Sequence, residues 1–254
     1  MDLQKASMWK RMAAWILDAI LACVIAVGFA VILSAILNYD AYFNAVEEGK
    51  NRYGEQYGVL GITQEAYNEM TEQEKADYEA ACLAANQAIG ADEELMKAYM
   101  MAMNLTLVIA SISILLAVLT LEFVVPILLK NGQTVGKKAF SLGVIRQDGV
   151  RATTMQLFIR ALLGKYTIET MIPVYIILMF FWSAMDITGT IVLIALAAGQ
   201  LLCIGITRGN AAIHDKLAGT IVVDIASQKV FESTDELVAY TKRIHAERAQ
   251  RQDY

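Results

Sequence analysis

Proline is scarce in this chain, two residues in 254, and so are histidine, with two, and cysteine, with three. Few prolines leave long helices free to run uninterrupted. Two histidines and three cysteines leave little for metal chemistry, and no serine, cysteine or histidine constellation supports catalysis, so no enzyme, metal or cofactor is expected. Cys23 and Cys203 fall inside apolar runs and Cys82 lies outside them, which leaves no disulfide framework. Charge is sparse as well: 19% of residues carry it, and 21 Lys+Arg against 26 Asp+Glu give a net charge of −5. That balance excludes a nucleic-acid binder, which needs a basic footprint. What is abundant is apolar surface, with 57% hydrophobic residues and a mean hydropathy of +0.45. This is the composition of a membrane protein rather than a soluble domain.

Residues 13–37 are apolar except for Asp18, and at about 1.5 Å per residue they exceed the roughly 30 Å hydrocarbon core. A secretory signal is the alternative for such an N-terminal run, but its hydrophobic region is shorter, roughly 7 to 15 residues. Residues 104–129 form a second run, interrupted by Glu122 and by Pro126, where a membrane helix can bend. Residues 170–185 form a shorter third run and 187–207 an uncharged fourth, with Asp186, Thr188 and Gly189 supplying a tight turn between antiparallel helices. The expected fold is an all-α integral membrane protein: a four-transmembrane-helix bundle with an extracytoplasmic helical insert and a small cytoplasmic β-hairpin element. Basic residues set its orientation, because the membrane holds positive loops on the cytoplasmic side. Segments 1–12, 130–169 and 208–254 hold 17 of the 21 lysines and arginines, whereas 38–103 holds four against 13 acidic residues. Both termini are therefore expected in the cytoplasm.

The 38–103 segment is too long for an ordinary connection and is expected to be helical. Thr71 and Glu74 have capping-box spacing before a run ending near Ile89, Gly90 breaks the pattern, and Asp92, Glu93 and Glu94 suit a new helix start that continues into the second span. Seven tyrosines, from Tyr39 to Tyr99, suit either a partner surface or an acidic solvated cap. On the other side, Gly143 to Thr153 reads as a β-hairpin around Asp148-Gly149, with Thr220 to Asp224 as a further strand able to pair with it. Met155 to Leu163 reads as a helix at the membrane surface or one packed beneath the bundle. Ser233 and Glu236 start an amphipathic tail helix, either docking or solvated.

Asp18 inside a span costs roughly 2.5 to 3.5 kcal/mol and needs a partner or a role. Arg11 shares its face but lies about 10 Å away along the helix. Glu122, roughly 12 Å from the end of the second span, sits at a similar depth. Two readings stand. The carboxylates meet in a low-dielectric site, with one holding a proton or both holding a cation, which suits proton or sodium coupling. Alternatively, each pairs separately with Arg160, Arg208 or a backbone group and fixes helix packing. Lys137 and Lys138, after Gly132, can hold a lipid phosphate or stay solvated, and the spacing departs from a phosphate-binding loop. His214-Asp215 is half of a metal or acid/base site, or Asp215 caps local backbone or pairs with Arg160.

Three ordered motifs resemble the RDD family of bacterial membrane proteins, named for an arginine and two aspartates. The first is Arg11-Met12-Ala13-Ala14-Trp15-Ile16-Leu17-Asp18. The second runs from Gly132-Gln133-Thr134-Val135-Gly136-Lys137-Lys138 to the Asp148-Gly149 turn, with Arg160 fitting the arginine of the next helix. The third is His214-Asp215-Lys216-Leu217-Ala218-Gly219 and the strand after it, where Asp215 supplies the second aspartate. The resemblance covers about residues 8–224. It implies a multi-pass protein of the bacterial cytoplasmic membrane and an activity among those attributed to members: transport, including sodium/proton antiport, or regulation beside a membrane protease. The long acidic insert and the tail helix depart from short members, and Glu122 is not among the named residues. The resulting expectation is ion or small-solute transport through Arg11, Asp18 and Asp215, with Glu122 as a further carboxylate and Lys137, Lys138, Arg160 and Arg208 as ion-pair or lipid contacts. The alternative is a non-catalytic adaptor that binds another membrane or envelope protein through the 38–103 insert. Either one sits in a lipid bilayer as a homo-oligomer or a subunit of a membrane complex.

Overall fold

The computed structural model describes residues 6–181, 187–206 and 211–252. They form a mostly helical protein with one small sheet. Two helices are long and apolar enough to cross a bilayer, Met8–Ile36 and Glu93–Leu128. The chain divides into two compact units, one formed by Met1–Val27 with Ser113–Tyr254 and the other by Gly28–Ile112.

α1 (Met8–Ile36) buries only Ala14 and Asp18 along its length and exposes Trp9, Trp15, Val24 and Val31. In the second unit, α2 (Tyr39–Gln56), α3 (Gln64–Glu69) and α4 (Glu72–Ala91) precede α5 (Glu93–Leu119). The expected capping box at the start of α4 is present: Glu74 N–H donates to the Thr71 hydroxyl and the Glu74 carboxylate accepts from Thr71 N–H. Gly90, expected to end this helix, lies within α4, and the break falls at Asp92. The reason is that Asp92 is the stronger signal, because its Oδ1 accepts from the amides of Glu94 and Leu95 at 3.1 and 3.0 Å, satisfying two orphan donors of α5. Arg52 and Tyr53 of α2 both reach Asp92 Oδ2, at 2.9 and 3.0 Å, which ties α2 to the same point.

α5 continues without a break through a π-helical turn, Thr120–Val124, into α6 (Val125–Leu128). Pro126 lacks an amide and crowds the preceding turn, and the wide turn lies directly before it. Next come α7 (Val135–Ala139) and β1 (Leu142–Arg146). β1 pairs antiparallel with β2 (Thr220–Asp224) in the register Leu142↔Asp224 to Arg146↔Thr220. The expected hairpin over Gly143 to Thr153 is therefore corrected. Ile145 and Arg151 form only an isolated bridge beyond the Asp148-Gly149 turn, and the partner in the sheet is β2. Packing accounts for the choice. Leu142, Val144 and Val222 join one core cluster, while Ile145, Val223 and Ile221 join another, so both faces of this sheet are covered, as its unbroken apolar runs require.

α8 (Thr154–Ile159) starts from a Thr153–Gln156 capping box. Expected either at the membrane surface or packed beneath the bundle, it runs directly into a twelve-residue π-helical segment, Arg160–Met171, and on into α9 (Ile172–Phe181). The third expected span thus has a polar extension in the same helix. The hydroxyls of Thr167 and Thr170 donate to the carbonyls of Leu162 and Lys165, five residues back, and follow the wider turn. α10 (Ile187–Ile206) already contains Thr188 and Gly189, which were expected in a turn, while Asp186 lies outside the described residues. The chain closes with α11 (Ile213–Ala218), ended by Gly219 in the left-handed region at φ 64°, then β2 and the tail helix α12 (Thr234–Gln252).

A buried charge network at the end of a cavity

Asp18 is 2% exposed and does not pair with Arg11. Its partners come from the segment that starts α7. Thr134 caps this helix by accepting from Lys137 N–H at 3.2 Å, while its hydroxyl donates to Asp18 Oδ2 at 2.5 Å. The amide of Gly136 donates to Asp18 Oδ1 at 2.8 Å. A side chain at Gly136 would overlap the Ala14 carbonyl and the Asp18 carboxylate, so glycine lets α7 sit directly against α1. Lys137 Nζ stands 3.7 Å from Asp18 Oδ2, 3.5 Å from Glu122 Oε2 and 3.2 Å from the Thr134 hydroxyl. The Asp18 and Glu122 carboxylates therefore do not face each other bare; an ammonium group lies between them.

Arg160 is 1% exposed and uses three nitrogens in three directions. Nε donates to Asp215 Oδ1 at 2.9 Å, Nη1 to Glu122 Oε2 at 3.0 Å, and Nη2 faces His214 Nε2 at 3.0 Å. Arginine can only donate, so His214 Nε2 accepts. That leaves the proton on Nδ1, which meets the Glu169 carboxylate at 2.7 and 2.8 Å. His214 is thus the neutral Nδ1–H tautomer. Glu122 also pairs with Lys165. Asp215 Oδ2 pairs with Arg11 at 3.4 Å and accepts from Ala212 N–H at the same distance. Both roles expected of Asp215, a local cap and a partner of Arg160, are present. Arg160 itself was offered as an ion-pair or lipid contact, and its burial leaves only the first.

The cluster holds four cations, Arg11, Lys137, Arg160 and Lys165, against four carboxylates, Asp18, Glu122, Glu169 and Asp215. Equal numbers let charges be buried together that none could bear alone. Burial brings the Lys137 ammonium down to about 8, a shift that Glu122 and Asp18 oppose. Burial also lowers His214, with Arg160 adding to the effect while Asp215 and Glu169 oppose it. Asp215 is raised by burial, but His214, Arg160 and Arg11 outweigh this and hold it well below the usual carboxylate range. Arg160 is held charged by Asp215 and Glu122 against the burial that would lower it.

These side chains form one end of a cavity of about 1030 Å³. Its remaining wall is mostly apolar, with Ala22 and Ala26 from α1, Val118 from α5, and Leu193 and Leu196 from α10, joined by Thr170 and Gln200. Among the described residues, no three His, Cys, Asp or Glu side chains converge as metal ligands. Of the residues singled out in the sequence, Arg11, Asp18, Glu122, Lys137, Arg160 and Asp215 come together. Lys138 is exposed and makes no contact with the cluster, and Arg208 lies outside the described residues. Glu169 was not anticipated; its only signal is a carboxylate adjoining the run from Thr170. The contributions of Lys165, Thr134 and Gly136 also went unread, although each stood in a segment already noted.

A family model described as the RDD family matches residues 5–219. No curated protein and no solved structure matches the chain.

Proposed function

We propose that this chain, which belongs to the RDD family, carries an ion or small solute of the H⁺/Na⁺ type across a membrane and catalyses no chemical reaction. The observation that carries this reading is the cavity between apolar helices that ends on titratable groups, with Lys137 between Asp18 and Glu122. In this scheme Asp18 is the intramembrane carboxylate of the coupling site. Lys137, buried and titrating at about 8, is the neighbour whose charge changes near neutral pH. Arg160 and Asp215 hold the surrounding helices in place, and Arg11 anchors the start of α1 to α11.

The accompanying topology has four spans, residues 13–37, 104–129, 170–185 and 187–207, in a bacterial cytoplasmic membrane. Both termini lie in the cytoplasm, on the side that holds 17 of 21 basic residues. A homo-oligomer supplies the complete pathway. The test is flux in vesicles reconstituted with Asp18→Asn. Flux should be lost while the protein remains monodisperse and helical, and exposed Lys138→Gln should transport normally. Undiminished flux in Asp18→Asn would sink the reading.

A second reading, a regulatory adaptor, draws on one observation. The acidic insert lies entirely within one compact unit, Gly28–Ile112, with Asp92 tying α2 to the start of α5. Removing residues 53–89 should then abolish capture of a membrane or envelope partner while leaving insertion intact. Retained capture would exclude the insert as the binding surface.

A further inference from the structure

The apolar part of the cavity is not explained by ion coupling. About 1030 Å³ bounded by Ala22, Ala26, Val118 and Leu193 is far more space than an ion needs, and it lies at the upper end of the range for pockets that take organic ligands. The small side chains Ala14, Ala22 and Ala26 share with Asp18 one face of α1, four residues apart, and it is this face that lines the void.

The charged end adds a second constraint. The cavity wall includes the cations Arg11, Lys137, Arg160 and Lys165 but only the carboxylates Asp18, Glu122 and Glu169. Asp215, the fourth carboxylate of the network, is fully buried behind them. Asp215 balances Arg160 and Arg11 from behind, so the network is neutral as a whole, while the wall itself presents four cationic side chains and three carboxylates to the cavity. Arg11 and Lys165 present the most exposed of the four cationic side chains, each 14% accessible. Height along α1 gives a third constraint. The charged end lies beside Trp9 and Trp15, 76% and 61% exposed, and tryptophans of that kind mark the level of lipid headgroups.

We propose that the cavity is a binding site for one anionic phospholipid, with the phosphate at the Arg11 and Lys165 end and an acyl chain along Ala22 and Ala26. The phosphate accepts hydrogen bonds from Arg11 and Lys165, the most accessible cationic side chains at that end, and the chain fills space that the helices leave open. This goes beyond the flux reading and does not depend on it, since binding is measured without a gradient.

The experiment uses the full chain in a neutral detergent, followed by native mass spectrometry during separate titrations with phosphatidylglycerol, phosphatidylcholine of the same acyl chains, and glycerol phosphate. One phosphatidylglycerol per chain should bind at about fivefold or more lower concentration than phosphatidylcholine, given the roughly 1 kcal/mol that a basic residue contributes toward anionic lipid. Lys165→Gln should weaken phosphatidylglycerol about fivefold and leave phosphatidylcholine unchanged, while Lys165→Arg retains binding. Ala26→Trp and Leu193→Trp, which fill the apolar part, should each remove the bound lipid. If Lys165→Gln does not fold, these two variants carry the test. Equal uptake of both lipids that none of the substitutions alters would mean annular lipid and overturn the proposal. So would glycerol phosphate binding as tightly as the lipid, or a lipid-free dimer whose second copy fills the space.

Discussion

Arg160 is the residue on which the network turns, because Glu122, Asp215 and His214 all depend on it. Replacing it with methionine leaves two buried carboxylates without their main partner, and the expected cost is about 3–5 kcal/mol, read as a lowered melting temperature in detergent. The double variant Arg160→Met, Glu122→Gln should recover part of the loss, because one stranded charge is gone; strictly additive losses would show that the ion pair is not the cause. His214 gives the pH dependence. Its folded value lies below the ordinary 6.5, so below about pH 6.5 the unfolded chain binds a proton that the folded one refuses, and stability falls as pH drops. Asp215 adds to this only in stronger acid, since its contribution is present above 3.8 and lost as pH falls further. Gln at position 214 can donate to Glu169 and accept from Arg160 without titrating. The melting temperature of His214→Gln should therefore lose most of its decline between pH 7.5 and 5.5, and an unchanged decline would remove His214 as its source. At this scale much of the site was legible: Arg11, Asp18, Glu122, Arg160 and Asp215 stand out as charges in or beside apolar runs or in family motifs. Among their partners Arg160 was legible, for Asp215 and for Glu122, whereas Lys137, Lys165 and Glu169 were not. Sequence does not reveal that Lys137 turns inward while Lys138 turns out, because only the close seat of Gly136 against α1 decides which lysine is buried.

Elements place these residues, and two of them depend on geometry that no pattern announces. The α-helical period predicts the existence of the helices but not the π-helical turns at Thr120–Val124 and Arg160–Met171, which rotate the faces that follow. Glu122 and Arg160 both lie in such turns, so their meeting could not be read from a 3.6-residue wheel. The strand expected over Thr220 to Asp224 is present and pairs as expected, and only the local hairpin gives way, for a different reason. A hairpin around Asp148-Gly149 satisfies the local turn signal, but pairing β1 with β2, some 75 residues further along by the register, buries both apolar faces and wins. The caps at Thr71 and Thr153 were legible or lay in a noted segment, because a cap is decided within four residues. The junction between α1 and α7 offers the sharpest test of an element contact. Gly136→Ala places a methyl group against the Ala14 carbonyl and the Asp18 carboxylate, and the backbone shift required should cost about 1–3 kcal/mol. Thermal unfolding checks it, and a melting temperature within error of the parent would mean that α7 can move off α1 freely.

For the whole molecule, the apolar helices Met8–Ile36 and Glu93–Leu128 and the family match mark a membrane protein, and the side that each segment faces sets where its charges act. The charge network bears on it, because Arg11, Lys137, Lys165 and Asp215 come from three segments separated by four apolar runs yet meet in one cluster. That cluster carries the start of α1, the loop after α6, the start of the α8 helix and α11 together, and the proposed topology places it at a single membrane face. The proposed topology assigns the insert 38–103 to the other face. Its four basic residues against 13 acidic ones fit the outer side. Cys82 lies in that insert and is partly exposed, whereas Cys23 and Cys203 lie in apolar helices. In intact cells a charged, membrane-impermeant maleimide should therefore label the protein at Cys82 and lose nearly all labelling in Cys82→Ser. A cysteine introduced at Ser233, ahead of α12, should react only after the membrane is opened. Labelling of that cysteine in sealed cells, or protection of Cys82 there with labelling after lysis, would invert the topology and place the Arg160 end of the cavity outside.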